Sequence, residues 1–240
     1  MAHSRRTAVQ RGFWSVRFYL TVVVFLFVSQ ACVAEVAPPV SFVNDVVPIL
    51  TKAGCNAGAC HAKSGGGQKG FQLSLLGFEP LEDYESLVKD GHGRRLFPAA
   101  PDESLFLRKA SGQTPHGGGI RIALNSDAYA LLRRWIAQGT PYRSASEPQL
   151  TSVEVQPNLG LVKMNAEQQL KAVARYSDDS VRDVTNVALY ESNAEAMATV
   201  TDNGLVKVHD IPGKVAVMVR YQGTVAVFTA AVPLGATVGT

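Results

Sequence analysis

The apolar residues of this chain change their spacing across the stretch Pro141–Pro148. Before it they recur every three or four residues, and after it they alternate. Side chains three or four apart share one face of a helix, whereas side chains two apart share one face of a strand. No single layer satisfies both periods, so the chain must join a helical part to a strand part. The stretch itself, Pro141-Tyr142-Arg143-Ser144-Ala145-Ser146-Glu147-Pro148, is polar and proline-bounded and reads as a linker, centred on 143–149.

In the first part, Ser41 precedes a helical stripe of Phe42, Val46, Ile49 and Leu50, with Gly54 as the stop. A loop, Ser64-Gly65-Gly66-Gly67, follows. Pro80 to Val88 predicts a short helix with Leu81, Tyr84 and Leu87 on one face. Pro101 to Lys109 predicts another, with Asp102 and Glu103 at its positive end. The last helix is capped by Ser126 or Asn125, buries Leu131, Leu132, Trp135 and Ile136, and stops at Gly139. In the second part, strands are predicted at Thr151–Gln156, Gln169–Tyr176, Val181–Val184, Leu205–Val208, Lys214–Tyr221 and Thr224–Val232. Asp202-Asn203-Gly204 is a hairpin signal. Six or seven short strands of this kind predict a β-sandwich.

The N-terminus has a different character. Arg5, Arg6, Arg11 and Arg17 come without an acid, an apolar run from Phe18 to Val28 follows, and Ser29, Ala31 and Ala34 close the segment. The run is shorter than the ~20 residues that cross a bilayer. The pattern is that of a secretory signal peptide over 1–34, cleaved after Ala34, with an uncleaved N-terminal anchor as the alternative reading. It carries four of the 23 Lys+Arg and none of the 20 Asp+Glu, so the formal +3 of the whole chain becomes −1 for the mature one. No basic surplus remains to hold phosphates, which argues against nucleic acid as a partner. The expected location is the periplasm or the cell surface. Of three cysteines, Cys32 leaves with the signal, and Cys55 and Cys60 stay.

The chemistry is concentrated at Cys55-Asn56-Ala57-Gly58-Ala59-Cys60-His61. Two thiols followed at once by histidine suit covalent attachment of a c-type haem, with the imidazole as iron ligand. The usual spacing has two residues between the cysteines, and here there are four. Three other readings use the same residues: a Cys55–Cys60 disulfide, a zinc site of Cys55, Cys60, His61 and a distant histidine, and a dithiol redox pair.

The surroundings add a resemblance. Phe42-Val43-Asn44-Asp45 through Cys60-His61, then Pro101-Asp102-Glu103-Ser104-Leu105, then Leu132-Arg133-Arg134-Trp135-Ile136-Ala137-Gln138-Gly139-Thr140-Pro141 resemble a Planctomycete cytochrome c domain over residues 41–142. The resemblance implies one haem c bound through Cys55 and Cys60, His61 as proximal ligand, and first and last helices packed across each other. Residues 150–233 resemble a bacterial Ig-like domain of group 2, through Leu150-Thr151-Ser152-Val153-Glu154-Val155-Gln156-Pro157, Ala174-Arg175-Tyr176-Ser177-Asp178, Asp183-Val184-Thr185 and Asn203-Gly204-Leu205-Val206. The expected fold is therefore multidomain: an all-α cytochrome c-like haem domain (36–142), an all-β Ig-like sandwich (150–233) and a tail (234–240).

Common cytochromes c supply methionine as the second axial ligand. The methionines here are Met1, Met164, Met197 and Met218, and none lies between residues 36 and 145. Thr114-Pro115 stands where a Met-Pro is expected, and His116 follows it, before Gly117-Gly118-Gly119. His116 is therefore the expected distal ligand, with His92, between Gly91 and Gly93, as the alternative. Arg94-Arg95 and Arg121 are the arginines that could meet haem propionates. The expected function is electron transfer to a redox partner protein. The rival is a cell-surface adhesion protein whose first part is closed by a disulfide; a haem peroxidase would need His116 free of the iron.

Overall fold

The computed structural model describes Met1, residues 39–144 and residues 146–234; apart from Met1, the segment expected to be a signal peptide and the tail beyond Leu234 lie outside the described residues. Residues 39–144 and 146–234 fall in one unit. It begins with a π-helical turn, Phe42–Val46, that runs directly into α1 (Val47–Lys52). Ser41 caps the turn, its Oγ accepting from Asn44 N at 3.0 Å. Pro48 sits at the start of α1 and brings no N–H to the carbonyls of the preceding turn. Three more helices follow: α2 (Pro80–Val88), α3 (Leu105–Ala110) and α4 (Asp127–Ala137). Ser126 Oγ accepts from Tyr129 N to cap α4, which buries Tyr129, Leu132, Trp135 and Ile136. Trp135 and Tyr84 both pack on Phe42, at 5.6 and 5.3 Å between ring centroids, so the first turn, α2 and α4 meet in one aromatic cluster.

The expectation of an all-α first part is corrected. Its four α-helices are only 6, 9, 6 and 11 residues long, and 3-10 turns and irregular backbone join them. The helix expected from Pro101 breaks at Ser104, whose ψ of 126° separates a 3-10 turn, Pro101–Glu103, from α3. Ser104 Oγ instead accepts from Phe97 N at 2.9 Å, a side-chain bond that competes with helix. The glycine-rich region after Gly54 folds by turns and by two isolated bridges, Ala62 with Leu73 and Gln68 with Phe71. Gly77 closes it against α1: with φ +76°, a Cβ there would lie 2.4 Å from Val47 Cγ1, so only glycine fits.

The second part is all-β, with ten strands among the described residues rather than six or seven. They are β1 (Leu150–Gln156), β2 (Leu159–Leu161), β3 (Glu167–Gln169), β4 (Lys171–Tyr176), β5 (Val181–Asp183), β6 (Leu189–Ser192), β7 (Ala198–Val200), β8 (Leu205–Val208), β9 (Gly213–Tyr221) and β10 (Thr224–Val232). The extra strands β2, β3, β6 and β7 have three or four residues, too few for alternation to show. Three sheets form, in the orders β1-β4-β5, β2-β10-β9-β6 and β3-β8-β7. All three feed one apolar core that includes Val153, Ala172, Tyr176, Val206, Val217 and Phe228.

The two parts share a polar seam. Tyr221 Oη lies 3.2 Å from Asn44 O and 3.0 Å from Tyr176 Oη. A carbonyl can only accept, so Tyr221 donates to Asn44 and Tyr176 donates to Tyr221. Gln222 Nε2 donates to Asn44 Oδ1, and Asn44 Nδ2 to Pro148 O. Lys52, the last residue of α1, donates to Ala188 O at 2.7 Å and to Asp202 O, with its ammonium 5.3 Å from the Tyr190 ring centroid. Burial pulls its pKa below the ordinary lysine value, against the opposing pull of Asp202.

Candidate functional site

The segment from Cys55 to His61 leaves α1 as a closed loop. Cys55 N donates to Leu50 O, Cys60 N to Ala57 O, and His61 N returns to Cys55 O at 3.0 Å. The small residues Ala57, Gly58 and Ala59 form its bend. Asn56 is fully buried; its Nδ2 donates to Thr51 Oγ1 at 2.9 Å and its main-chain oxygen accepts from Leu76 N. The loop is thus pinned to α1 on one side and to the Leu75–Gly77 turn on the other. Asn56 Oδ1 is buried without a partner among the described residues.

Both cysteines are free thiols. Cys55 belongs to the core, and burial pushes its pKa up to about 11; the neighbouring Cys60 adds to the rise and Arg121 opposes it. Cys60 is more open, and Arg121 Nη2 approaches its Sγ to 3.9 Å.

His61 and His116 come together across 55 residues of sequence. Their ring centroids are 6.2 Å apart and their planes 7° from parallel. His61 Nδ1 donates to Phe71 O at 3.3 Å, and His116 Nδ1 to Gly119 O at 3.0 Å. A carbonyl needs the proton on Nδ1, so each ring keeps the Nε2 lone pair for another partner. Burial lowers the His61 pKa, Phe71 O opposes this, and the charges of His116, Arg95 and Lys109 lower it further, so the net shift favours the neutral ring. The loop carrying His116 is tight: a Cβ on Gly118 would lie 2.9 Å from His116 Cε1. Arg121 Nε donates to Gly118 O at 2.7 Å, so one guanidinium touches both the His116 loop and Cys60.

His92 lies elsewhere. It is exposed, with φ +58°, on the turn Asp90–Gly93, and the imidazole against His61 is that of His116. Among the described residues no three His, Cys, Asp or Glu groups converge as a metal cage. Phe71, which sequence patterning passed over, packs 4.6 Å from the His61 ring, and Arg95, named in the sequence among the candidate propionate partners, lies over Phe71 at 4.8 Å. Phe71 sits alone after a glycine in a loop, so no periodicity marks it. A cleft of about 460 Å³ between Leu75, Phe78, Tyr221 and Gly223 contains none of Cys55, Cys60, His61 or His116.

Among the described residues the donor set suits a haem on two counts: Cys55 and Cys60 are unpaired thiols, and His61 and His116 each turn Nδ1 to a carbonyl, which leaves Nε2 as the metal-binding nitrogen. Comparison with models of known protein families and with curated proteins finds no match.

Proposed function

We propose that this is an exported c-type haem protein that carries electrons. Cys55 and Cys60 would each add an S–H across one vinyl group of haem, sulfur to one carbon and hydrogen to the other. His61 and His116 would hold the iron. The observation that carries this reading is the parallel pair of imidazoles, each with Nδ1 spent on a carbonyl. When bound, the haem supplies an iron that alternates between ferric and ferrous states. The chain's own contribution is to fix the ligands. Phe71 O and Gly119 O set the tautomers and orientations, and Arg121 holds the His116 loop to the cysteine loop.

Two histidine ligands give a lower reduction potential than a Met/His pair. Ligation by both also leaves no open iron position, which favours electron transfer over peroxidase chemistry. The test is a haem stain on a denaturing gel of protein matured in a bacterial periplasm. Stain on the band is expected for the parent chain, and its loss in Cys55→Ser/Cys60→Ser. An unstained parent band, with a Cys55–Cys60 disulfide by mass, would instead support the adhesion-protein reading.

A further inference from the structure

We propose that the open edge of β10 pairs with the same edge of a second copy of this chain, so that one sheet runs through both copies. β10 lies against β9 along its whole length, but on its other side β2 reaches only Thr229 to Ala231. Tyr221 and Thr224 face each other across the hairpin turn. Even-numbered residues of β10 therefore bond to β9, and odd-numbered ones turn their main chain the other way. The bonds on the β2 side follow that parity: Thr229 N donates to Asn158 O at 2.9 Å, and Ala231 O accepts from Val162 N at 3.0 Å. Val225 and Val227 thus turn their N–H and C=O groups outward, and among the described residues nothing receives them. A cleft of about 500 Å³, lined by Val153, Val155, Ala226 and Val227, runs beside them and gives a strand room.

A bare edge of this kind is a template for another strand. The other sheet edges are guarded. β1, β3, β5 and β6 carry Glu154, Glu167, Asp183 and Glu191, and β2 and β7 are only three residues long. Thr224-Val225-Ala226-Val227-Phe228 has no charge and no proline. Its odd residues also expose their side chains, 43 % for Val225 and 45 % for Val227, and Phe78 at 74 % and Leu75 at 48 % share a surface cleft with Val225. Together these leave roughly 350 Å² of apolar surface per copy. That is most of the apolar share of the ~800 Å² per partner in a stable interface. The cations at the rim already face carboxylates, Lys63 with Glu82 and Arg220 with Glu191, so two copies meet without repulsion between them.

A second copy fits because the segment is complementary to itself. In an antiparallel pair centred on Ala226, Val225 stands opposite Val227 of the second copy, and Val227 opposite its Val225. Each opposed pair exchanges two N–H···O=C bonds, so every outward group is satisfied at once. Each also brings two valine side chains into cross-strand contact. The axis is a two-fold, so the assembly closes as a dimer.

The experiment follows the mass of the mature chain by sedimentation over a range of concentrations, together with amide exchange at Val225 and Val227. The parent is expected to dimerise, and both amides to gain protection as it does. Val225→Lys/Val227→Lys sets like charges opposite each other in both pairs and should weaken association roughly tenfold. Val225→Lys/Val227→Glu sets opposite charges in both pairs and should keep the dimer. A parent that stays monomeric, or whose two amides are protected in the monomer because another part of the chain covers the edge, would overturn the proposal. So would a dimer that survives Val225→Lys/Val227→Lys, or one that both double variants abolish alike. If a double variant fails to fold, the concentration dependence of amide exchange in the parent decides alone.

Discussion

His116 is the residue on which the account of the iron site turns. Its replacement by Ala should open the sixth position, so the ferric spectrum should change from low-spin to high-spin while the haem stays covalently bound. His92→Ala should leave the spectrum as it is. Gly77→Ala tests the packing beneath the cysteine loop. A methyl group there meets Val47 Cγ1 on a backbone at φ +76°, and the expected loss is about 2 kcal/mol in chemical unfolding. The residues that make up the candidate site were legible in the sequence: the adjacency of Cys60 and His61, the missing methionine and the Pro115-His116 dipeptide are all local facts. Phe71 and the burial of Arg95 were not legible, because the contacts that define them join residues 10 to 25 apart through irregular backbone.

Helix and strand boundaries followed the sequence where a cap or a turn dipeptide fixed them. The α2 boundaries at Pro80 and Val88, the Ser126 cap of α4 and the Gln222-Gly223 hairpin, with φ +46° and +75°, were all written in the chain. Ser126→Ala should cost about 1 kcal/mol and fray the first turn of α4, which hydrogen exchange at Tyr129 N would report. The all-α expectation failed because apolar spacing says where a helix can run but not where a side chain diverts it. Ser104 caps Phe97 N rather than continuing a helix, and the glycines after Gly54 favour turns. The short strands β2, β3, β6 and β7 escaped notice for the complementary reason. Their pairing partners, not their own three or four residues, make them strands.

The seam between the helical and strand parts should make them unfold together, giving one calorimetric transition for the mature chain; two resolved transitions would contradict the seam. Tyr221→Phe leaves Asn44 O without its buried donor and should cost about 1–2 kcal/mol. The seam also predicts an alkaline limit. Burial raises the pKa values of Tyr176 and Tyr221 and pushes Tyr190 up to about 12. The folded state thus keeps protons that the unfolded state releases near pH 10. Stability from these groups is complete below pH 10 and is lost as pH rises toward 12, which denaturant midpoints across that range would show. The strand part was legible as strands, and the helical part as a carrier of the Cys-Cys-His segment, yet the seam was not. A polar stretch such as Pro141–Pro148 looks the same whether it separates two bodies or is drawn into their contact, as Pro148 O is by Asn44. The central claim is covalent haem, and the intact mass of the periplasm-matured protein tests it most directly. The account predicts a chain heavier by one haem, and the bare chain mass for Cys55→Ser/Cys60→Ser. A parent chain lighter by two hydrogens, the mark of a Cys55–Cys60 disulfide, would contradict it.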